Sequence, residues 1–260
     1  MINLFKKYDY NSIPFPHVIC SEIFSELNYS DLVNNFPSIN LFQDLSNRNP
    51  NKFKKYSLSK RNNREEFLKF LKSNHIYKKL HQYICSEKFK KILVEDFLKK
   101  EINIDFGIKV EKKSLSKKII KDIFSLNFPI PEQELEIVME FSSLPFDGGF
   151  LAPHNDGQDK LASIVIPIIS DEEEALFTNS NGATVFLKTK DPNKSFNIIN
   201  NTYSFEEVEI LKNIDFKKNK FLIFFKTYNS LHAVYPLTKK SDSNLFRNSI
   251  TINIEKKYKI

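Results

Sequence analysis

The sequence predicts a mostly β protein in which an N-terminal layer of helices precedes an antiparallel sandwich or barrel. Two observations support this fold class. Helical patterns dominate residues 1–101, whereas from residue 102 apolar and polar residues alternate with period two in short segments. The 260 residues suit one domain, with an N-terminal strand and helical layer over 1–101 and the β core over 102–260.

The first 101 residues are predicted to contain one strand followed by helices. The run 13–20 is apolar and rich in β-branched residues, which is typical of a strand. Ser21 is predicted to cap a helix that ends near Asn35. The stretch 38–61 is polar and is interpreted as a long surface loop, and helical patterns resume at Arg64.

The rest of the chain contains several segments with strand character. They are 106–112, 134–142, 161–169, 183–188, 206–212, 220–226, 231–236 and 247–255. A basic, proline-containing insert at 111–133 is interpreted as a surface loop, with a mobile lid as the alternative. A second polar insert covers 190–204.

Charge and cysteine content limit the partners and the location. Only four of the 39 basic residues behind the net charge of +7 are arginine, and a lysine-rich surface is usually solvated, so we do not expect nucleic-acid binding. No apolar run approaches the roughly 20 residues that span a bilayer, and the first residues lack a secretory signal, so no membrane partner is expected. With only Cys20 and Cys85, a reducing cytoplasm is the simpler interpretation.

A histidine and an aspartate stand two residues apart in the segment GGFLAPHNDGQDK, at 148–160. In an extended segment, residues i and i+2 point to the same face, so His154 and Asp156 are predicted to project together. His232 follows an apolar strand and is the best placed of the other histidines to join them. Two histidines and one carboxylate on one face, with the opposite positions open, suit non-haem Fe(II) oxygenases.

An arginine begins the predicted strand RNSITINI, in which polar and apolar residues alternate from Ser249 to Ile254. Arg247 and Ser249 share the polar face of this predicted strand. A guanidinium that points into a sandwich is costly without a partner, and an anionic ligand removes that cost. Arginine binds a carboxylate through two parallel hydrogen bonds, and a serine hydroxyl two residues on can add a third.

Together these segments resemble the Fe(II)/2-oxoglutarate-dependent dioxygenases, and within them the prolyl-4-hydroxylase-like branch. The resemblance covers roughly 135–255. It lies in GGFLAPHNDGQDK (148–160), NGATVFL (181–187), LHAVYPL (231–237) and FRNSITINI (246–254). Asn181 stands where the family usually has glycine, and Arg247 stands where prolyl hydroxylases often have lysine. The second departure argues against peptidyl proline as the substrate.

The resemblance implies a double-stranded β-helix, or jelly roll, with the metal at its mouth. His154, Asp156 and His232 would bind Fe(II), and Arg247 and Ser249 would bind the distal carboxylate of 2-oxoglutarate. The implied reaction uses O₂, converts 2-oxoglutarate to succinate and hydroxylates an unactivated C–H of the substrate. An aspartate among the ligands favours hydroxylation over halogenation.

Further contacts and other functions stay open at this point. Lys160 is a candidate contact for 2-oxoglutarate or substrate, or a solvated lysine, and Thr184 either lines the pocket or only suits a strand. We expect a small-molecule substrate rather than a protein side chain. The alternatives are a cupin-like metal-binding isomerase, a non-catalytic jelly-roll binding protein, and an oxygenase acting on a nucleic-acid base.

Overall fold

Two antiparallel sheets form the framework of the protein. The structure is a computed structural model, and it describes residues 7–22, 24–46, 54–104, 133–194, 201–238 and 245–258. The strands are β1 (Lys7–Asn11), β2 (His17–Ser21), β3 (Gln43–Asp44), β4 (Tyr56–Ser59), β5 (Gln133–Pro145), β6 (Leu151–His154), β7 (Lys160–Pro167), β8 (Thr184–Thr189), β9 (Val208–Ile214), β10 (Lys220–Phe225), β11 (His232–Val234) and β12 (Phe246–Tyr258). The larger sheet has the order β1-β2-β10-β7-β12-β5-β4-β3, and the smaller has the order β6-β11-β8-β9. A mostly β fold with antiparallel sheets is thereby confirmed.

Helices cover one face of the larger sheet. They are α1 (Glu26–Asn34), α2 (Arg64–Ser73), α3 (His75–Ile84) and α4 (Glu87–Lys90), which continues as a π-helix over Lys91–Glu101; a one-turn helix α5 (Asp171–Glu174) follows β7. Helix α3 buries Tyr77, Leu80 and Ile84, which recur on one helical face. Tyr77 meets Phe141 of β5 edge to face, with ring centroids 5.0 Å apart. In the part of the chain described, no helix is long and apolar enough to cross a membrane.

The alternation of β12 from Ser249 to Ile254 divides the interior into an apolar layer and a polar layer. Ile250, Ile252 and Ile254 are buried in the core that the helices share with the larger sheet. Arg247 lies on the opposite face and reaches the smaller sheet, where it contacts Thr184 of β8. The predicted division of this strand is therefore confirmed, because only the apolar face can pack against helices without unpaired polar groups.

The predicted core strands correspond closely to β5 and β7–β12, but two predictions for the first part of the chain were wrong. Ser21 does not cap a helix, because it ends β2 and pairs with β1 and β10; Ser25 caps α1 instead. The stretch 38–61 is not only a loop, because it contains β3 and β4, and β4 pairs with β5. The first 101 residues thus supply strands to the larger sheet as well as helices.

Several sequence-based expectations fall on residues outside the described ranges. They are the strand at 106–112, most of the insert at 111–133, and the middle of the insert at 190–204.

Candidate metal centre

Strand pairing within the smaller sheet brings the two predicted histidine ligands together. β6 ends at His154 and β11 begins at His232, and these two residues are opposite each other in the antiparallel register. Their ring centroids are 4.4 Å apart. The pair therefore depends on a contact between residues 78 positions apart in the chain (232 − 154 = 78).

The carboxylate of Asp156 completes the group. Its Oδ1 lies 3.9 Å from His154 Nε2, and its Oδ2 lies 3.8 Å from His232 Nε2. One donor atom from each residue fits within a mutual distance of 4.8 Å, and no other such group of three occurs among the residues described. This spacing allows one metal ion to contact all three donors.

Backbone contacts hold both imidazole rings with the same nitrogen toward the shared space. The Nδ1 of His154 lies 2.8 Å from the carbonyl oxygen of Ala152, and the Nδ1 of His232 lies 3.0 Å from that of Ser230. A carbonyl only accepts hydrogen bonds, so each Nδ1 carries the proton and each Nε2 presents a lone pair. Such a bond from the far nitrogen is the usual support of a metal-binding histidine.

The protonation states also fit a cation. Burial, followed by the charge of His154, lowers the pKa of His232 to about 3, and burial lowers the pKa of His154 as well. Burial alone would raise the pKa of Asp156, but the charge of Lys160, followed by those of His232 and His154 when they are protonated, outweighs it and holds that pKa well below its usual range. At neutral pH the donors are two neutral imidazoles and one carboxylate, the forms that bind metal.

Lys160 and Ser163 contact the ligand carboxylate. Lys160 Nζ donates to Asp156 Oδ1 at 2.8 Å, and Ser163 Oγ donates to Asp156 Oδ2 at 3.4 Å. The predicted contact of Lys160 with substrate or 2-oxoglutarate stays a prediction, since in this structure its ammonium is paired with Asp156.

Arg247 lies buried between the sheets. Its Nε donates to the carbonyl oxygen of Gly182 at 2.7 Å, and its Nη2 donates to Thr184 Oγ1 at 3.1 Å. Its guanidinium carbon lies 3.7 Å from the centre of the Phe216 ring. Burial lowers the pKa of Arg247 to about 9, which still leaves it charged at neutral pH. Ser249, two residues on, is buried as well.

No described carboxylate forms an ion pair with Arg247. The backbone at Gly182 has φ +74°, and a Cβ there would lie 2.6 Å from Leu237 Cδ2, so only glycine fits where the carbonyl turns toward the guanidinium. A buried cation held by a carbonyl, a hydroxyl and an aromatic face has its orientation fixed and its charge uncompensated. It is suited to receive an anionic ligand.

Sequence reasoning missed two residues that support this centre. Phe216 lies in the loop between β9 and β10, outside any periodic segment, so no pattern placed it beneath Arg247. Asn155, between two of the ligands, is fully buried, and no sequence pattern singled it out. Its Nδ2 donates to the carbonyl oxygens of Thr227 and Tyr228, and its Oδ1 accepts from Ser230 Oγ at 2.8 Å.

The contacts of Asn155 predict a positioning role, because they tie the segment of His154 to the turn that precedes His232. We expect Asn155→Ala to lower the free energy of unfolding by about 2–4 kcal/mol, since it leaves buried polar groups without partners. Mn(II) affinity should fall roughly 10- to 100-fold. Chemical denaturation and Mn(II) titration measure these effects. Asn229→Ala, an exposed change in the same turn, is the control, and equal effects from both variants would contradict the role.

Comparisons with known proteins give structural similarity only. No family model matches the sequence, and no curated protein matches it. One similar solved structure is a prolyl hydroxylase from Trichoplax adhaerens in complex with a hypoxia inducible factor oxygen degradation domain peptide fragment. It is 10% identical in sequence with a TM-score of 0.44, and the alignment covers 92% of this chain and 83% of the hydroxylase. A prolyl 4-hydroxylase from Phytophthora capsici is 12% identical with a TM-score of 0.48, over 92% of this chain and 58% of that one.

An oxidoreductase of the 2OG-Fe(II) oxygenase family from Burkholderia pseudomallei is 11% identical with a TM-score of 0.39, over 88% of this chain and 78% of that one. At these identities and scores the similarity carries no argument about activity.

Proposed function

We propose that the protein is an Fe(II)- and 2-oxoglutarate-dependent dioxygenase that hydroxylates an unactivated C–H of its substrate. The observation that carries the proposal is the combination of two features in one interior. A group of two histidines and one carboxylate suits Fe(II), and a buried arginine with no counter-charge among the described residues suits a carboxylate. A metal-dependent isomerase needs only the metal-binding group, and a non-catalytic binding protein needs neither feature. A 2-oxoglutarate-dependent oxygenase needs both the metal-binding group and a cation for the co-substrate carboxylate.

His154, Asp156 and His232 would hold Fe(II), and Arg247 with Ser249 would hold the distal carboxylate of 2-oxoglutarate. When bound, the iron and its co-substrate supply the activation of O₂ and the oxidation of the C–H bond. The donor set fits the metal, because its imidazoles are neutral, its carboxylate is ionised, and all three converge on one space.

The residues of the chain orient the reactants and exclude water. The carbonyls behind each histidine keep Nε2 directed into the site. Phe224 of β10 packs on His232 with ring centroids 4.4 Å apart and closes that side with an apolar wall. Gly182 and Thr184 fix the fork of Arg247, so little rotational freedom is lost when a carboxylate binds.

The proposal extends to architecture and location. The larger and smaller sheets would be the two halves of a jelly roll, within one oxygenase domain over 1–260. Two free cysteines support the expected cytoplasmic location. A small-molecule substrate remains our expectation.

Succinate formation tests the activity. The purified protein, incubated with Fe(II), 2-oxoglutarate, O₂ and the small-molecule fraction of a cell extract, is expected to form succinate, measured by NMR. His232→Ala should form none, because a metal ligand is lost. A 2-oxoglutarate pool that stays unchanged with the wild-type protein would argue against an oxygenase.

A further inference from the structure

Among the residues described, the charged groups around the metal centre form pairs, with two exceptions. Lys160 and Asp156 are 2.8 Å apart, and Lys55 and Glu140 are 3.0 Å apart, so each pair is neutral in sum. Arg247 is the first exception, and the proposed function assigns it to 2-oxoglutarate. The second exception is a lysine at the other end of the site.

The Nζ atom of Lys226 is enclosed and has no partner among the described residues, although the residue as a whole is half-buried. Only two buried side-chain atoms lack a hydrogen bond in the described part of the chain, Glu140 Oε1 and Lys226 Nζ. Glu140 Oε1 still lies at ion-pair distance from Lys55 Nζ, whereas Lys226 forms no ion pair with any described residue. A buried ammonium without an anion is costly, so its presence calls for a ligand.

Lys226 adjoins the metal centre. Its backbone N–H donates to the carbonyl oxygen of Leu161 at 2.9 Å, which extends the pairing of β10 with β7 by one residue. Phe224, two residues earlier and on the same strand face, contacts His232. The charge of Asp156 is close enough to raise the pKa of Lys226, although burial lowers that pKa overall.

Arg247 and Lys226 are at opposite ends of β7. Ser249, next to Arg247 on the same face, pairs with Pro167 at one end of that strand, and Lys226 is beside Leu161 at the other. β7 has eight residues and rises about 3.3 Å per residue, so the backbones that carry the two cations are at opposite ends of the site. Ser163, which contacts Asp156, lies between them, so a diacid held by the metal and Arg247 leaves Lys226 free.

We propose that Lys226 binds a carboxylate of the substrate, and that the substrate is therefore a carboxylate-bearing small molecule. The inference rests on the proposed function and adds the substrate class to it. A single ammonium matches the single charge of a carboxylate, whereas a dianionic phosphate needs additional donors, and the neighbouring lysines are already paired.

Calorimetric titration tests the proposal without turnover. The protein, loaded with Mn(II) and saturated with 2-oxoglutarate, is titrated with the L-amino acids and a set of simple carboxylic acids, each compared with its primary amide. At least one acid is expected to bind ten times or more tighter than its amide. Lys226→Met should remove that preference, and Lys226→Arg should retain it. Lys220→Met, at the other end of β10, is the control.

A thermal melt of the same variants separates binding from folding. Lys226→Met should unfold at or above the wild-type temperature, since it removes an unpaired buried charge and keeps a stem of similar length. A fall of several degrees would mean that Lys226 is structural and would overturn the assignment.

Two results distinguish this inference from the proposed function. If the wild-type protein does not bind 2-oxoglutarate, the proposed function fails and this inference falls with it. Three results would show that the role of Lys226 is wrong while the proposed function stands, provided that 2-oxoglutarate binds. They are that every acid binds with the same affinity as its amide, that only phosphate esters bind, or that Lys226→Met binds acids as the wild type does.

Discussion

Replacement of Asp156 with alanine is expected to abolish succinate formation and to lower metal affinity at least about 100-fold, because loss of even an outer partner of a metal ligand costs 10- to 100-fold. The carboxylate is the only anionic donor in the group and lies within 4 Å of both imidazole nitrogens. Equilibrium dialysis with Mn(II) gives the affinity, and NMR gives the succinate.

Asp159→Ala is the matched control for this change. Asp159 is an exposed aspartate three residues further along the same segment and is not part of the metal-binding group. Its replacement should leave metal affinity and succinate formation at wild-type values. Full activity of Asp156→Ala would remove Asp156 from the metal site and with it the central feature of the proposal.

Replacement of Arg247 with methionine is expected to raise the 2-oxoglutarate concentration needed for half-saturation roughly 10- to 100-fold, since charged hydrogen bonds contribute about 1.5–3 kcal/mol. Mn(II) affinity should stay unchanged, because Arg247 contacts Gly182 and Thr184 and none of the three metal-binding side chains. Titration of the Mn(II)-loaded protein with 2-oxoglutarate measures the difference.

Two further variants show whether the effect of Arg247→Met comes from the carboxylate-binding guanidinium. Thr184→Val removes the hydroxyl that holds the guanidinium and should produce a smaller rise in the same direction. Arg64→Met, an exposed change at the start of α2, should produce none. An unchanged 2-oxoglutarate requirement in Arg247→Met would refute the carboxylate-binding role.

Local patterns were sufficient to predict the part of the fold that carries the site. The alternation in β12 identified both its apolar face and its polar face. Successive side chains of a strand point to opposite faces, so the isoleucines and Arg247 had to face different layers. The spacing of His154 and Asp156 predicted a shared direction for the same reason. Their meeting with His232 needed the additional assumption that β6 and β11 pair.

Elements that depend on partners distant in sequence were not predictable. β4 is a four-residue segment with two serines on one face, and it becomes a strand because Leu58 is buried against the helical core and its backbone pairs with β5. Ser21 has the chemistry of a helix cap, but pairing with two neighbouring strands overrides that preference.

The pairing of charged residues in the interior was also not predictable from the sequence. Lys226 follows an apolar strand in a lysine-rich sequence, so nothing distinguished it from a solvated lysine. Lys55 and Glu140 are 85 positions apart (140 − 55 = 85), and their pairing follows from the contact of β4 with β5. Only the three-dimensional arrangement shows that, within the described ranges, Lys226 is the lysine whose amine is enclosed without a partner.

An anaerobic titration of the apoprotein with Fe(II) and 2-oxoglutarate, followed by visible absorption, tests the central claim most directly. We expect a weak charge-transfer band that requires both additions, saturates at one iron per chain and is lost in His232→Ala. Absence of the band, together with no iron bound, would contradict the claim that His154, Asp156, His232 and Arg247 form an iron and 2-oxoglutarate site.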